Sequence, residues 1–130
     1  MFGEPMRALV ADDHEGHQRL LCAILSSLGL EVDVAKDGAA AVAAAKATPF
    51  DLILMDVSMP VLDGLEATRQ IREHEKTAGR ARANIVVVTS HSEQADFALS
   101  SAAGADGHVT KPLSVAGLLG NIEGHYLAVA

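Results

Sequence analysis

The sequence predicts an α/β domain: a doubly wound parallel sheet of five strands, with helices on both faces. Two observations carry that prediction. Short apolar runs alternate with longer stretches of helical period, and two of the runs, Leu52-Ile53-Leu54-Met55 and Ile85-Val86-Val87-Val88, contain no polar residue. Unbroken runs of that kind belong to central strands covered on both sides. Strands that alternate with helices imply right-handed crossovers and a parallel sheet. Composition agrees, because 49% of residues are apolar but only 3% are aromatic, so the core must be built from Ala, Val, Leu and Ile. At 130 residues the chain reads as a single domain, residues 1–130 with a core at about 6–128.

The elements follow in order. Arg7 to Ala11 is a strand candidate, and Glu15 to Ser27 a helix, with Gly29 where a helix C-terminal glycine belongs. Glu31 to Ala35 alternates polar and apolar residues, as an exposed edge strand does. Asp37 can cap an alanine-rich helix over Gly38 to Ala47, which Thr48 and Pro49 end. Between the two buried runs, a helix over Gly64 to Glu75 places Leu65, Thr68 and Ile71 on one stripe, and Thr77 to Asn84 forms a polar loop. A helix over Glu93 to Ala103, a short strand over Gly107 to Thr110 and a helix over Ser114 to Leu127 complete the pattern.

Charge and cysteine content exclude several functions. A net charge of −7 argues against direct nucleic-acid binding, which needs clustered Lys and Arg. Five basic residues do lie between Arg69 and Arg82, a cluster that reads as a solvated helix end and loop. No run approaches the roughly 18 apolar residues of a membrane span, and the N-terminus lacks a signal-peptide pattern. The single cysteine, Cys22, lies in an apolar helical run and reads as a buried structural thiol, so a reducing cytoplasm is the expected location.

In open parallel sheets, functional residues gather beyond the carboxyl ends of the strands, at the switch in strand order. Here the strand ends read Asp12-Asp13, Asp56, Thr89 and Lys111. The usual strand order sets Asp12, Asp13 and Asp56 side by side. Each carboxylate pair at ~4 Å costs about 4 kcal/mol at an effective dielectric near 20, roughly 12 kcal/mol for three pairs. A cation must offset that, or a proton must be taken up. Few, hard oxygen ligands with room for water suit Mg²⁺, whereas no Cys/His cluster has zinc-ligand spacing. With a divalent ion and Lys111, the charge of the three carboxylates sums to zero, and a dianionic phosphoryl donor can then approach. Phosphoryl transfer needs mostly positioning and charge neutralisation, and a carboxylate can be the acceptor. Taken singly, an Asp after a strand is usually a cap, Thr89 a strand-end hydroxyl and Lys111 a solvated lysine. Their joint placement at four strand ends is what points to a site.

With those residues in view, the sequence resembles the receiver domains of two-component response regulators, including the chemotaxis type, over about residues 6–128. The acidic pair Asp12-Asp13 follows the first strand. Asp56-Val57-Ser58-Met59-Pro60-Val61-Leu62-Asp63-Gly64 is similar to the phosphoacceptor loop, Thr89 matches the switch hydroxyl, and Lys111-Pro112 matches the lysine with its following proline. The resemblance implies a flavodoxin-like sheet of order 2-1-3-4-5. It implies Asp56 as phosphoacceptor, with Mg²⁺ (Mn²⁺ could substitute) held by Asp13, Asp56 and the Ser58 backbone carbonyl, and by Asp12 through water. Lys111 would pair with Asp56 and then with the phosphoryl group, and Thr89 would donate its hydroxyl to it. The Lys111-Pro112 bond is a cis-peptide candidate. Ser58 and His91 hold the positions that tune phosphoryl lifetime, and Ser90 stands where a small residue, usually Ala, is expected.

His108 occupies the place of an aromatic switch residue. The expectation is that it stays partly exposed, with coupling carried mainly by Thr89; a bonded switch role is the alternative. The other histidines, His14, His17, His74 and His125, are scattered and read as solvated. The implied partners are a histidine kinase or histidine phosphotransfer protein as donor and a downstream effector protein or domain as recipient. The chain would catalyse only its own phosphorylation and dephosphorylation. Nothing after Lys111 is basic, and Ser92 to Ala105 carries only Glu93 and Asp96, so a charge-paired dimer through the last helices is not expected and the unphosphorylated form reads as monomeric. The chain could be a stand-alone regulator or part of a hybrid histidine kinase, whose receivers the Met59 to Arg72 stretch resembles. The rival reading is a phosphorylation-independent binding module of the same fold; an aspartyl-phosphate phosphatase would need a second acid where Ser58 stands.

Overall fold

The computed structural model describes residues 6–89 and 94–110. The strands are β1 (Arg7–Ala11), β2 (Glu31–Ala35), β3 (Leu52–Asp56), β4 (Asn84–Thr89) and β5 (Gly107–Thr110). The helices are α1 (Glu15–Ser27), α2 (Gly38–Ala47), α3 (Gly64–Ala78) and α4 (Gln94–Ala103). The helix expected over Ser114–Leu127 lies outside the described residues, as do Ser90, His91, Lys111, Pro112 and His125.

All five strands run parallel, in the order β2-β1-β3-β4-β5. Side chains alternate across the sheet. Leu9, Ile53, Met55, Ile85 and Val87 turn to the face that α2 and α3 cover, where Ala41, Ala67 and Ile71 meet them. Ala8, Val10, Leu52, Leu54 and Val86 turn to the opposite face, against Leu21 and Leu25 of α1. Every residue of β3 is buried, as the unbroken apolar run requires, whereas edge strand β2 buries only Ala35.

Local chemistry sets the ends. Asp37 accepts a hydrogen bond from the Ala40 N–H at the start of α2, and Asp63 accepts from the Leu65 and Glu66 N–H groups at the start of α3. After α1, Gly29 takes φ +90°, which only glycine adopts without cost. Helix α3 runs to Ala78, beyond the expected Glu75, and ends in a left-handed cap at Gly79 (φ +67°), whose N–H donates to the Glu75 carbonyl.

In the basic cluster Arg69, Lys76 and Arg82 are exposed as expected, but Arg72 and Arg80 are not simply solvated. The Arg72 side chain is only 11% exposed. Its guanidinium donates to the Gly104 carbonyl (2.8 Å), the Ala83 carbonyl (2.9 Å), Glu75 (2.9 Å) and Asp106 (2.6 Å), tying α3 to the α4–β5 turn. Arg80 donates to the Ala45 and Lys46 carbonyls, both at 2.6 Å, and so closes the C-terminal end of α2. Burial alone would raise the Asp106 carboxyl. The Arg82 bond, the Ile85 N–H and the charges of Arg72 and Arg82 outweigh it and hold the carboxyl below its ordinary value. A carboxylate lowered in the folded state stabilises above its unfolded pKa, and that contribution disappears as pH falls through the folded value. Asp106→Asn is therefore expected to cost about 1 kcal/mol near neutrality, a modest figure because the carboxyl is partly hydrated. In thermal melts the gap between variant and parent should hold from pH 7 to 5 and close below about pH 4; a gap that persists in acid would contradict this account.

Candidate functional site

The site is built at the carboxyl end of the sheet. The Ala11–Met55 pairing in register brings Asp12 alongside Asp56, and the Val57 N–H donates to the Val88 carbonyl (2.9 Å), joining the β3 and β4 ends. Asp12 is 1% exposed and Asp56 3%, while Asp13 faces solvent. One carboxylate oxygen from each lies within 4.8 Å of the others, an acidic pocket of a kind that can hold a cation. At 4.8 Å the two buried carboxylates alone repel by about 3.5 kcal/mol at an effective dielectric near 20.

Backbone N–H groups orient the buried acids. Asp56 Oδ1 accepts from the Ser58 N–H (3.1 Å) and Asp12 Oδ1 from the His14 N–H (2.9 Å). The Asp12 N–H donates to the Ala35 carbonyl, and Gln18 Nε2 donates to the Asp12 carbonyl at 2.6 Å. Asp12 Oδ2 is buried with no hydrogen-bond partner among the described residues.

Two glycines let the β3–α3 segment pack closely, Gly64 against the end of β3 and Gly38, at the start of α2, against the loop. A Cβ on Gly64 would sit 2.1 Å from the Asp56 carbonyl oxygen, and one on Gly38 would sit 1.8 Å from the Leu62 carbonyl oxygen. Within the loop, the Leu62 N–H donates to the Pro60 carbonyl (2.7 Å), an i to i+2 γ-turn, and its central residue Val61 holds φ +71°. Positive φ is costly for a β-branched residue, about 1–3 kcal/mol, and Val61 is 79% exposed, so no packing compensates. Val61→Gly should therefore stabilise the fold by about 1 kcal/mol after glycine's own entropic cost. Urea unfolding checks it, and an unchanged or lowered midpoint would refute the strain.

Thr89 ends β4 in a buried position, paired in register with Thr110, one residue before Lys111. The structure thus brings Asp12, Asp13 and Asp56 together, with Ser58 in the loop after β3 and Thr89 at the end of β4. His108 lies on β5 opposite Val87, half-buried, at the edge of a cavity of about 140 Å³ that Ser100, Ser101 and Asp106 also line. Lys111, Pro112 and His91 lie outside the described residues.

Of the histidines read as solvated, His14 is exposed as expected but also serves as a helix cap, and His17 is partly buried. His14 caps α1, its Nδ1 accepting from the His17 N–H at 3.2 Å. His17 Nδ1 lies 3.4 Å from Asp12 Oδ2, and the two imidazole rings stand 4.4 Å apart. The only sequence signal was their spacing, which repeats once per helical turn on the side leading to the strand end. Cys22 is half-buried rather than fully buried, and that burial raises its thiol pKa. Little thiolate is then present at neutral pH, which agrees with an unreactive thiol.

Comparison with known proteins decides the family. A model of the response regulator receiver domain matches residues 8–123. The chain belongs to that family. Among its relatives is hybrid signal transduction histidine kinase I of Dictyostelium discoideum, 38% identical over 115 residues, covering 85% of this chain but 7% of that protein. The receiver therefore spans a small fraction of the hybrid-kinase relatives it matches.

Two solved structures are similar. One is the co-crystal structure of the Saccharomyces cerevisiae histidine phosphotransfer signaling protein Ypd1 with the receiver domain of its downstream response regulator Ssk1. It matches with a TM-score of 0.87 and 31% identity, covering 92% of this chain and 87% of the matched chain. The other is the receiver domain of sensor histidine kinase PA1611 from Pseudomonas aeruginosa PAO1, with a magnesium ion coordinated in its active-site cleft. Its TM-score is 0.81 and its identity 34%, covering 92% and 96% of the two chains. The expected sheet order is the one observed, and the receiver carries its acidic pocket where the strand-end rule put it. Among the described residues, no helix is long and apolar enough to cross a membrane.

Proposed function

We propose that this receiver takes a phosphoryl group onto Asp56 in a Mg²⁺-dependent reaction and passes the event to a partner as a change at its β4–α4 and β5 surface. The observation that carries the reading is the acidic pocket, in which Asp12, Asp13 and Asp56 each offer an oxygen within 4.8 Å. Two of the three acids are buried, and one buried oxygen lacks a hydrogen-bond partner among the described residues, which fits a hard divalent cation. Asp13, Asp56 and the Ser58 carbonyl would hold Mg²⁺, Asp12 acting through water, and Mn²⁺ has the same ligand preference. The ion supplies charge neutralisation, without which an anionic donor would meet three carboxylates.

The chain's own residues do the rest. An Asp56 oxygen forms the new O–P bond as the donor's P–N or P–O bond breaks, and the electron pair leaves with the donor group. Ser58 N–H fixes the Asp56 carboxylate for that attack. Lys111 and the Thr89 hydroxyl would donate to phosphoryl oxygens, as the family resemblance implies. The donor class is a histidine kinase or histidine phosphotransfer protein, which the Ypd1 co-crystal and the hybrid-kinase relative support. The recipient is a downstream effector, and turnover of external substrates is not part of this function.

The test is incubation with acetyl phosphate and Mg²⁺, followed by intact-mass and peptide analysis. One adduct, on Asp56, is expected only with the metal; no adduct would sink the proposal and favour a phosphorylation-independent binding module. Mg²⁺ should also raise the melting temperature, since it relieves repulsion present only in the fold. At 100 times its dissociation constant the gain is about 2.7 kcal/mol. An unchanged melting temperature at verified saturation would contradict it.

A further inference from the structure

We infer that His17 and Asp12 form a nitrogen–oxygen subsite for a borderline transition-metal ion of the Zn²⁺ class, beside the oxygen ligands that suit Mg²⁺. His17 Nδ1 and Asp12 Oδ2 lie 3.4 Å apart. Both atoms are buried, and neither has a hydrogen-bond partner among the described residues. The contact is in ion-pair range but is not a hydrogen bond, so two buried polar atoms lie close together with neither satisfied by the other.

The separation is informative. Two ligands bonded at about 2.0–2.2 Å to a tetrahedral ion stand about 3.4 Å apart. Adjacent ligands on an octahedral Mg²⁺ at about 2.0–2.1 Å stand about 2.9 Å apart. The His17–Asp12 separation has the tetrahedral bite. Imidazole also ranks Zn²⁺ far above Mg²⁺, which keeps to oxygen.

The pair is held in place before any ion arrives. Asp12 is 1% exposed, and its other oxygen is bound by the His14 N–H at 2.9 Å. The His14 ring stands 4.4 Å from that of His17 and accepts from the His17 N–H. Gly16 keeps room for the His14 ring, since a Cβ there would sit 2.9 Å from its Cε1. On metal binding, the imidazole proton resides on Nε2 and Nδ1 is the ligand. Asp13, whose carboxylate is within 4.8 Å of that of Asp12, and water can complete the sphere. Because Asp12 serves both ions, Zn²⁺ should compete with Mg²⁺ and block phosphorylation.

The inference rests on the pocket being a cation site, not on Asp56 being phosphorylated. Its test is calorimetric titration of Zn²⁺ and Mg²⁺ into the unmodified protein, His17→Asn and His17→Gln, under reducing conditions. The substitutions should weaken Zn²⁺ binding at least tenfold and leave Mg²⁺ affinity within twofold. Co²⁺ bound to the parent should show the intense visible absorption of a tetrahedral site, lost in both variants. An equal loss for both metals would make His17 a positioning residue only, and no loss for either would remove it from the site; each result overturns the inference. Should both variants fail to fold, the parent's ¹⁵N spectrum decides. Zn²⁺ must shift His17 Nδ1, and an unmoved resonance refutes the subsite. Absent Mg²⁺ binding with an intact Zn²⁺ response would sink the proposed function and leave this inference standing.

Discussion

Asp56→Asn is expected to abolish labelling by acetyl phosphate and to make the metal-free fold more stable by about 1–2 kcal/mol. The first effect is all-or-none, because a neutral amide oxygen is not a nucleophile for phosphorus under these conditions. The second follows from the geometry. Asp12 and Asp56 are both buried, and their carboxylates approach within 4.8 Å, a repulsion of about 3.5 kcal/mol at an effective dielectric near 20. The amide keeps the shape of the carboxylate, and its oxygen can still accept from the Ser58 N–H, so that bond survives. Loss of the ion pair that the family resemblance places between Asp56 and Lys111 offsets part of the gain. The same substitution should shrink the stabilisation by Mg²⁺, since a ligand and a charge are both gone. Urea unfolding with and without Mg²⁺, beside intact-mass analysis after acetyl phosphate, reads all three effects. A variant that still labels, on any residue, means Asp56 is not the sole acceptor. A variant less stable than the parent without metal means the pocket's repulsion is already relieved in the resting protein.

The strands and their functional ends were legible because that information is local. An unbroken apolar run that stops at an acid, as Leu52 to Met55 stops at Asp56, states both a buried strand and its end. The acidic pocket then follows from the topology, since a parallel order with β1 beside β3 must bring Asp12 next to Asp56. What was not legible depends on distances between residues far apart in the chain. Arg72 looked like part of a solvated charge run, yet its partners Gly104 and Asp106 are 32 and 34 residues away. His17 looked like an ordinary surface histidine, because its place against Asp12 depends on how α1 leaves β1. Gly38 looked like a helix start, and nothing in its neighbours announces that the Leu62 carbonyl will press against its Cα. Periodicity reports which face of an element is buried; it does not report which backbone atom is met there.

Gly64→Ala is expected to destabilise the receiver by about 2–4 kcal/mol and to slow phosphorylation even in the folded fraction. Alanine would ordinarily help a helix, since glycine is the poorer former by about 1 kcal/mol in a helix interior. Here the added Cβ would lie 2.1 Å from the Asp56 carbonyl oxygen, 2.8 Å from its carbon and 3.0 Å from Met55 Cγ. The first two contacts are to the backbone of Asp56, the last residue of a central strand anchored to neighbours on both sides, so the strand end yields little. The start of α3 must move away by more than 1 Å. Overpacking of that kind costs about 1–3 kcal/mol, and the displacement also stretches the 3.0 Å bond from the Gly64 N–H to the Val57 carbonyl, worth about 1 kcal/mol. Ser58 sits between those anchors, so its N–H is drawn away from Asp56 Oδ1, and Asp56 loses the bond that orients it. Lys76→Ala, at the exposed far end of the same helix, serves as the control and should change stability by less than about 0.5 kcal/mol. Chemical denaturation gives the stability of each variant, and the rate of acetyl phosphate labelling under folding conditions gives the coupling. If Gly64→Ala proves as stable as the parent, the close approach of α3 to the end of β3 is not what holds the β3–α3 loop in place.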